Sequence, residues 1–273
     1  MFKIIPDERA ALVSSKQGKC LVITDLHLGY EIELSKRGIH IPATIDETFN
    51  RIARMLENFK CTRLIVNGDF KHSIPVTTWR EQVKILALLS SLIDQYGITI
   101  DIVPGNHDGN ISSILKGVEH VNILSRKGVI VRNSKDRVGI LHGHTWPPLF
   151  MIEQANVILM GHNHPSISIS VKPFGRVSFP CWVFLKVSKR ILIEHMQRKF
   201  RVTSRMHIRG SLRIVLMPAF SDIVGLYPFN RTPYGKYLSP ILNSIPRECL
   251  QNSEIYALDG TYLGKLSLLR TRA

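Results

Sequence analysis

Along the first half of the chain, short apolar runs alternate with longer segments whose apolar residues recur every three or four positions. Residues 20–24 (CLVIT) form one such run, closed by Asp25. Ile45, Phe49, Ile52, Met55, Leu56 and Phe59 then fall on one face, which predicts a helix over 45–59 because the spacing follows the 3.6-residue turn. Residues 63–67 (RLIVN) are the next run and lead into Gly68-Asp69. A long amphipathic helix is predicted over 77–96, and a strand over 98–103 (ITIDIV) that ends in Pro104-Gly105-Asn106-His107. Strand, helix, strand, helix, strand implies a parallel sheet with crossover helices.

After Val121 the runs become short and mostly β. Strands are predicted over 129–132, 138–141, 157–160, 167–171, 182–187, 212–217, 255–258 and 262–269. Asp259-Gly260 marks a hairpin turn between the last two, a dipeptide that suits a tight two-residue connection. This second set reads as a largely antiparallel or mixed sheet. Two sheets face to face with helices outside make an α/β chain with a four-layer α/β/β/α sandwich. The expected organisation is one domain over 1–273, with the chemistry-bearing motifs in about 18–170 and the second sheet completed by about 171–273. Residues 186–213 interrupt the order with nine Lys/Arg and one acid, Glu194. A strand pair, a basic arm and a mobile loop all fit that composition.

The formal charge of +15, from 36 Lys+Arg against 21 Asp+Glu, fits anionic partners (nucleic acid, nucleotides or acidic membrane) and equally a generally basic, soluble surface. No apolar run reaches the roughly 18–20 residues that span a bilayer, and the N-terminus lacks a signal-peptide pattern. The expected location is cytoplasmic, with no membrane partner. Cys20, Cys61, Cys181 and Cys249 are widely separated and form no CxxC pair, so buried reduced thiols are expected rather than a zinc ribbon.

The strand ends carry the chemistry. Asp25-Leu26-His27, Gly68-Asp69, Gly105-Asn106-His107-Asp108, His142-Gly143-His144 and Gly161-His162-Asn163-His164 each follow an apolar run. In open α/β sheets the carboxyl ends of strands converge on one crevice, so five loops can deliver donors to one point. Asp and Asn supply oxygen and His supplies nitrogen, a set that suits Mn, Fe or Zn better than Ca or Mg. Asp25, His27, Asp69, Asn106, His142, His162 and His164 are too many for one four-coordinate ion. They suit two ions sharing a carboxylate, an arrangement that clamps phosphoryl displacement. Among the remaining candidates, Trp79 and Trp182 are expected in the core, Trp146, in the loop after His142, has a better claim to substrate contact than either, and His144 falls either beside a ligand or on the surface. His40, His120, His195 and His207 have no chemical partner nearby in sequence.

In these motifs the sequence resembles the calcineurin-like metallophosphoesterase superfamily. Asp25/His27, Asp69, Asn106-His107, His142 and His162/His164 match its successive motifs. The resemblance implies the same four-layer sandwich and a dinuclear site that hydrolyses a phosphoester with a metal-bound hydroxide. It places Asp25, His27, Asp69 and His164 on one metal, and Asp69, Asn106, His142 and His162 on the other, with Asp69 bridging. His107 takes the place of the catalytic histidine that contacts the phosphate and protonates the leaving oxygen, with Asp108 orienting it. DLHLGYE, GDFKHSIP, GHNHP and the later MPAF, SPIL and DGTYLG segments are similar to the archaeal SbcD-related and DNA-ligase-associated phosphoesterases. GDFKH parallels a nuclease GDxxH motif and sets His72 near the substrate. The cofactors implied are two divalent ions, Mn first, with Fe, Zn or Ni as alternatives. A nuclease or phosphodiesterase acting on nucleic acid leads the functional readings. A small-molecule phosphatase or cyclic-nucleotide phosphodiesterase, and a non-catalytic scaffold on the same fold, are the alternatives.

Overall fold

Successive strand residues point to opposite faces, and in the central strands both faces are apolar. Leu21 and Ile23 of one strand and Leu64 and Val66 of its neighbour pack on Ile52, Met55, Leu56, Ile85, Leu88 and Leu92 of two helices. The intervening Cys20, Val22 and Ile65 face the other way, onto Val138, Ile140, Leu159, Trp182 and Val215 of a second sheet. That second sheet turns Leu141, Ile158, Met160, Val183, Leu185, Ile214 and Leu216 outward onto Met151, Ile152, Leu192, Ile193 and Met196 of its own helices. The layers therefore run helix, sheet, sheet, helix.

The computed structural model describes residues 2–42, 44–72, 79–133, 136–173, 175–201 and 209–270. The first sheet holds β1 (Phe2–Ile4), β2 (Ala11–Ser15), β3 (Gly18–Ile23), β4 (Cys61–Asn67), β5 (Thr99–Val103) and β6 (Val121–Ile123), side by side in chain order. β1, β2 and β3 pair antiparallel; β3 to β6 are parallel. The crossovers carry α1 (Tyr30–Lys36), α2 (Ile45–Phe59), α3 (Trp79–Tyr96) and α4 (Ile111–Ile114).

In the second sheet β7 (Val129–Arg132), β8 (Arg137–Leu141) and β9 (Val157–Met160) are followed by β12 (Trp182–Ser188), β13 (Ser211–Leu216), β15 (Glu254–Tyr256) and β16 (Tyr262–Lys265). It is mixed: β8, β9 and β13 are parallel neighbours, and the outer pairings are antiparallel. A small third sheet joins β10 (Pro165–Val171), β11 (Gly175–Pro180) and β14 (Tyr227–Pro228). α5 (Leu149–Gln154), α6 (Lys189–Phe200), α7 (Arg247–Gln251) and α8 (Leu266–Leu269) complete the described elements.

Three expectations are corrected. The strand expected over 262–269 ends at Lys265, and α8 follows, because Leu266 is drawn into the core beside Leu250. Over their described part residues 186–213 hold the end of β12 and the start of β13, which pair antiparallel as one expected alternative had it, and between them the helix α6, which no alternative included. Leu192, Ile193 and Met196 bury one side of α6, and Lys189 is buried with them, its ammonium donating to the Glu153 carbonyl at 2.7 Å. The density of charge hid that apolar stripe from the pattern. Trp79 is 76% exposed at the first turn of α3, whereas Trp182 is fully buried as expected. The thiols of Cys20, Cys61 and Cys181 are buried, that of Cys249 is half-buried, and all four are free. No described helix is long and apolar enough to cross a membrane.

The two sheets are stitched together at one edge. The Asn67 amide, at the end of β4, donates to the carbonyls of Leu141 and Leu159 at 3.1 and 3.4 Å, at the ends of β8 and β9. The carboxyl ends of strands from both sheets thus meet in one place.

Candidate metal centre

Asp25 and His27 leave β3, Asp69 follows β4, Asn106 and His107 follow β5, His142 follows β8, and His162 and His164 follow β9. Their donors gather into two main groups, and a third links His27 to His107 and to His72. Donor atoms of Asp25, His27 and His164 lie within 4.8 Å of one another, and so do those of Asp69, His142 and His162. Asp69 joins the groups: its Oδ2 is 3.6 Å from His27 Nε2 and 3.3 Å from His142 Nε2. Asn106 Oδ1 stands 3.3 Å from His142 Nε2, and His164 Nε2 stands 3.4 Å from Asp25 Oδ1.

The backbone is bent to make this possible. Of nine non-glycine residues with positive φ among the described residues, Asp25, His27, Asp69, His162 and His164 are five. That region is uncommon for residues with a Cβ and costs on the order of 1–3 kcal/mol each, so the fold spends strain where the donors converge. Two glycines give the donors room. A Cβ on Gly161 would collide with Thr24 Oγ1 and Asp25 Oδ2, and one on Gly105 with the Asp69 carboxylate and His142 Nε2.

Hydrogen bonds then fix which ring nitrogen faces inward. His142 Nδ1 donates to the Asn67 carbonyl at 2.9 Å, and His164 Nδ1 to the Gly225 carbonyl at 3.0 Å. Each Nε2 is the nitrogen turned to the carboxylates: it carries a proton in the metal-free protein and would offer its lone pair once an ion displaces that proton. His27 is set by a longer chain. Glu33 Oε2 lies 2.7 Å from His72 Nε2, and His72 Nδ1 lies 3.1 Å from His27 Nδ1. With Glu33 ionised, His72 donates through Nε2 and accepts at Nδ1. His27 must then carry its proton on Nδ1 and present Nε2 as a lone pair.

Two further site residues, His72 and Asp108, have hydrogen-bond partners that their motifs did not show. Both nitrogens of His72 are engaged, and its ring centroid lies 4.2 Å from that of Tyr30. His72 is therefore placed to orient His27. Asp108 does not orient the His107 ring. It is buried, and its carboxylate accepts from the backbone N–H of Gly105 (2.8 Å), Phe70 (3.1 Å) and Lys71 (3.2 Å), tying two of the donor loops together. The His107 ring is held through Nδ1, which donates to the His72 carbonyl at 2.7 Å, while its backbone N–H donates to Asp69 Oδ1 at 2.9 Å.

Burial opposes the charge of Asp69, but His142, His27 and the His107 N–H outweigh it and hold the carboxyl well below its usual range. Asp25 is likewise held low, against burial, by His164 and His142. Burial alone would lower His142, yet Asp69 and Asp25 push it up to about 9; His164 is also raised, chiefly by Asp25. Burial takes His27 down to about 3 and His162 to about 4. Without metal, protons on His142 and His164 thus meet the two carboxylates' demand for positive charge.

Residues 18–187, more than half of the chain, match the calcineurin-like phosphoesterase family. The chain belongs to that family. It is accordingly a metal-dependent phosphoester hydrolase. The fold is similar to that of the Pseudomonas putida nuclease MPE, with a TM-score of 0.50 at 18% identity, covering 95% of this chain and 98% of that one. The E. coli phosphoesterase Yfce aligns at a TM-score of 0.39 and 14% identity, over 90% of this chain and 97% of that one. No curated protein matches the sequence significantly.

The donors fit the two ions that such a phosphoesterase uses. His27 Nε2 is buried with no hydrogen-bond partner, a costly state for a polar atom and the expected one for a ligand awaiting its ion. Other supporting residues carried no signal in their own segments. Asn67 ends a strand, Gly225 lies in a late loop, and Glu33 is one of two acids on α1. Ser239, in the SPIL segment, is buried. Its N–H donates to Asn163 Oδ1 at 3.2 Å and its hydroxyl to the Gly143 carbonyl at 2.7 Å, which joins the two histidine loops.

Proposed function

We propose that this chain is a dinuclear phosphodiesterase acting on nucleic acid, with Mn as its working metal. Asp25, His27, His164 and Asp69 would hold one ion, and Asp69, Asn106, His142 and His162 the other. Bound there, two divalent ions polarise the phosphoryl group and activate the attacking water. The chain's own side chains do the rest. Glu33 and His72 keep the His27 lone pair inward. His107, anchored through Nδ1, would act in its doubly protonated form, with Nε2–H the bond that breaks. As water adds to phosphorus and the ester P–O bond breaks, that proton passes to the leaving oxygen.

The observation that carries the nucleic-acid reading is the charge beside an open site. Asn106 is exposed, and His107, His162 and His164 are half-buried, so the donors face a surface rather than a sealed chamber. Arg126 is near enough to act on His144, which packs against His142 and His162. Exposed Arg190, Arg198 and Lys199 line α6, in a segment that carries nine bases against one acid. The sequence likeness to SbcD-related and DNA-ligase-associated phosphoesterases points the same way.

The test is a substrate panel after chelation and add-back of Mn, Mg, Zn or Ni. Single-stranded and duplex DNA, RNA, a cyclic nucleotide, bis(p-nitrophenyl) phosphate and p-nitrophenyl phosphate are compared across a salt series. The proposal expects Mn-dependent oligonucleotide cleavage whose apparent affinity falls steeply with salt, by a log–log slope of about −0.7 to −0.9 per phosphate contact. Turnover confined to phosphomonoesters, with a shallow salt dependence, would identify a small-molecule phosphatase instead.

A further inference from the structure

A groove of about 650 Å³ includes His144 in its lining. The His144 ring is 5.2 Å from that of His142 and 6.1 Å from that of His162. The C-terminal turn of α6, with Met196, Lys199 and Phe200, and the loop after β8, with Trp146, also line it. Lys127 closes one side.

The aromatic residues divide their duties. One face of Trp146 is covered by His195, with ring centroids 5.0 Å apart and planes within 8°. Phe200 meets Trp146 at its edge, 5.9 Å away and 69° inclined, and stays 44% exposed. The Lys199 ammonium lies 5.6 Å from the Phe200 ring. A large apolar ring held in water beside a cation, over an apolar floor, matches a ligand with a flat face and a negative charge. No acidic side chain lines the groove among the described residues. Its volume is in the range of small-ligand sites, which a single nucleoside fits and a duplex does not.

From this geometry we infer that the groove is a nucleobase subsite. It takes one unpaired base of a single-stranded nucleic acid against Phe200, with Lys199 and Lys127 on the phosphates that flank it. The inference rests on the nucleic-acid reading above and narrows it to single strands, because paired bases in a duplex offer no free face to stack. Trp146 supports the wall, and Phe200 is the ring that meets the base.

Binding is measured without metal, so that it does not depend on turnover. The probe is a single-stranded oligonucleotide of about eight nucleotides carrying 2-aminopurine, read by anisotropy and by the quenching that stacking produces. Phe200→Ala is expected to weaken binding by about 5- to 100-fold, the span of one base–aromatic stack, and to abolish part of the quenching. Phe200→Tyr is expected to restore both. Lys199→Gln, an exposed change that leaves the α6 core intact, should flatten the salt slope by about 0.7. In the metal-loaded protein, Phe200→Ala should lose at least tenfold more activity on the oligonucleotide than on bis(p-nitrophenyl) phosphate. Wild-type affinity and quenching in Phe200→Ala, or duplex binding as tight as single-strand binding, would overturn the inference. A wild type that binds the oligonucleotide through Phe200 but cleaves no nucleic acid would refute the nucleic-acid hydrolase reading separately.

Discussion

Replacing Glu33 by alanine removes the acceptor at the far end of the Glu33–His72–His27 chain. His72 Nε2 then loses its partner at 2.7 Å, and the ring is free to carry its proton on Nδ1. A proton there meets the Nδ1–H of His27 at 3.1 Å, so His27 must either turn or move its own proton to Nε2. Either change removes a lone pair from the group formed with Asp25 and His164. Partners that orient a metal ligand typically contribute 10- to 100-fold in metal affinity, or about 1.4–2.8 kcal/mol. The fold itself should barely notice: Glu33 is on the surface of α1, and its contact with Arg37 is an exposed i,i+4 pair, worth no more than about 0.5 kcal/mol. Glu33→Gln keeps an acceptor for His72 and should lose less than Glu33→Ala. The assay is competition with a calibrated chelator, resolving the two binding steps, beside a melting curve of the metal-free protein. One step weakened by 10-fold or more, with the other step and the melting temperature nearly unchanged, is the expected result. Two unchanged steps in Glu33→Ala would show that the chain does not set the His27 tautomer.

Asp108→Ala strands the N–H groups of Gly105, Phe70 and Lys71 in the interior; chemical denaturation should show a loss of roughly 2–4 kcal/mol, and a loss below about 1 kcal/mol would contradict its bracing role. Metal uptake should also tighten with pH. His142 is raised to about 9 in the metal-free protein, so below that pH an ion entering beside Asp69 displaces its proton, and affinity should gain up to about tenfold per pH unit from 7 to 9. Because the folded value lies above the ordinary one near 6.5, the same proton stabilises the metal-free fold fully below about pH 6.5. That stability is lost as pH climbs through about 9. Chelator competition at pH 7, 8 and 9 checks the affinity, and a flat series would refute it.

The donors were legible because each stands directly after an apolar run, and strand ends are fixed by topology once the runs are recognised. Helix α2 and strand β9 fell where their spacing put them, since both bury a regular stripe or a continuous run. Helix α6 was not legible: Lys189 sits inside its apolar stripe and spends its charge on a carbonyl, so the segment read as basic rather than amphipathic. The hydrogen bonds of His72 and Asp108 were not legible for a related reason. Sequence shows that a polar residue is near a motif, while its hydrogen-bond partner is set by loops distant in the chain. Glu33 reaches His72 across 39 positions and Ser239 reaches Asn163 across 76, and no local pattern marks such pairs.

The most direct test counts metal in the wild type and in Asp69→Asn, because Asp69 is the carboxylate that stands between the two donor groups. Both proteins are stripped with chelator, reloaded with Mn, freed of excess ion, and analysed by mass spectrometry beside bis(p-nitrophenyl) phosphate turnover. The account predicts close to two ions per wild-type chain, with about one or fewer and no measurable turnover in Asp69→Asn. A wild type that saturates at one ion, or an Asp69→Asn protein that holds two and works normally, would contradict a shared dinuclear site.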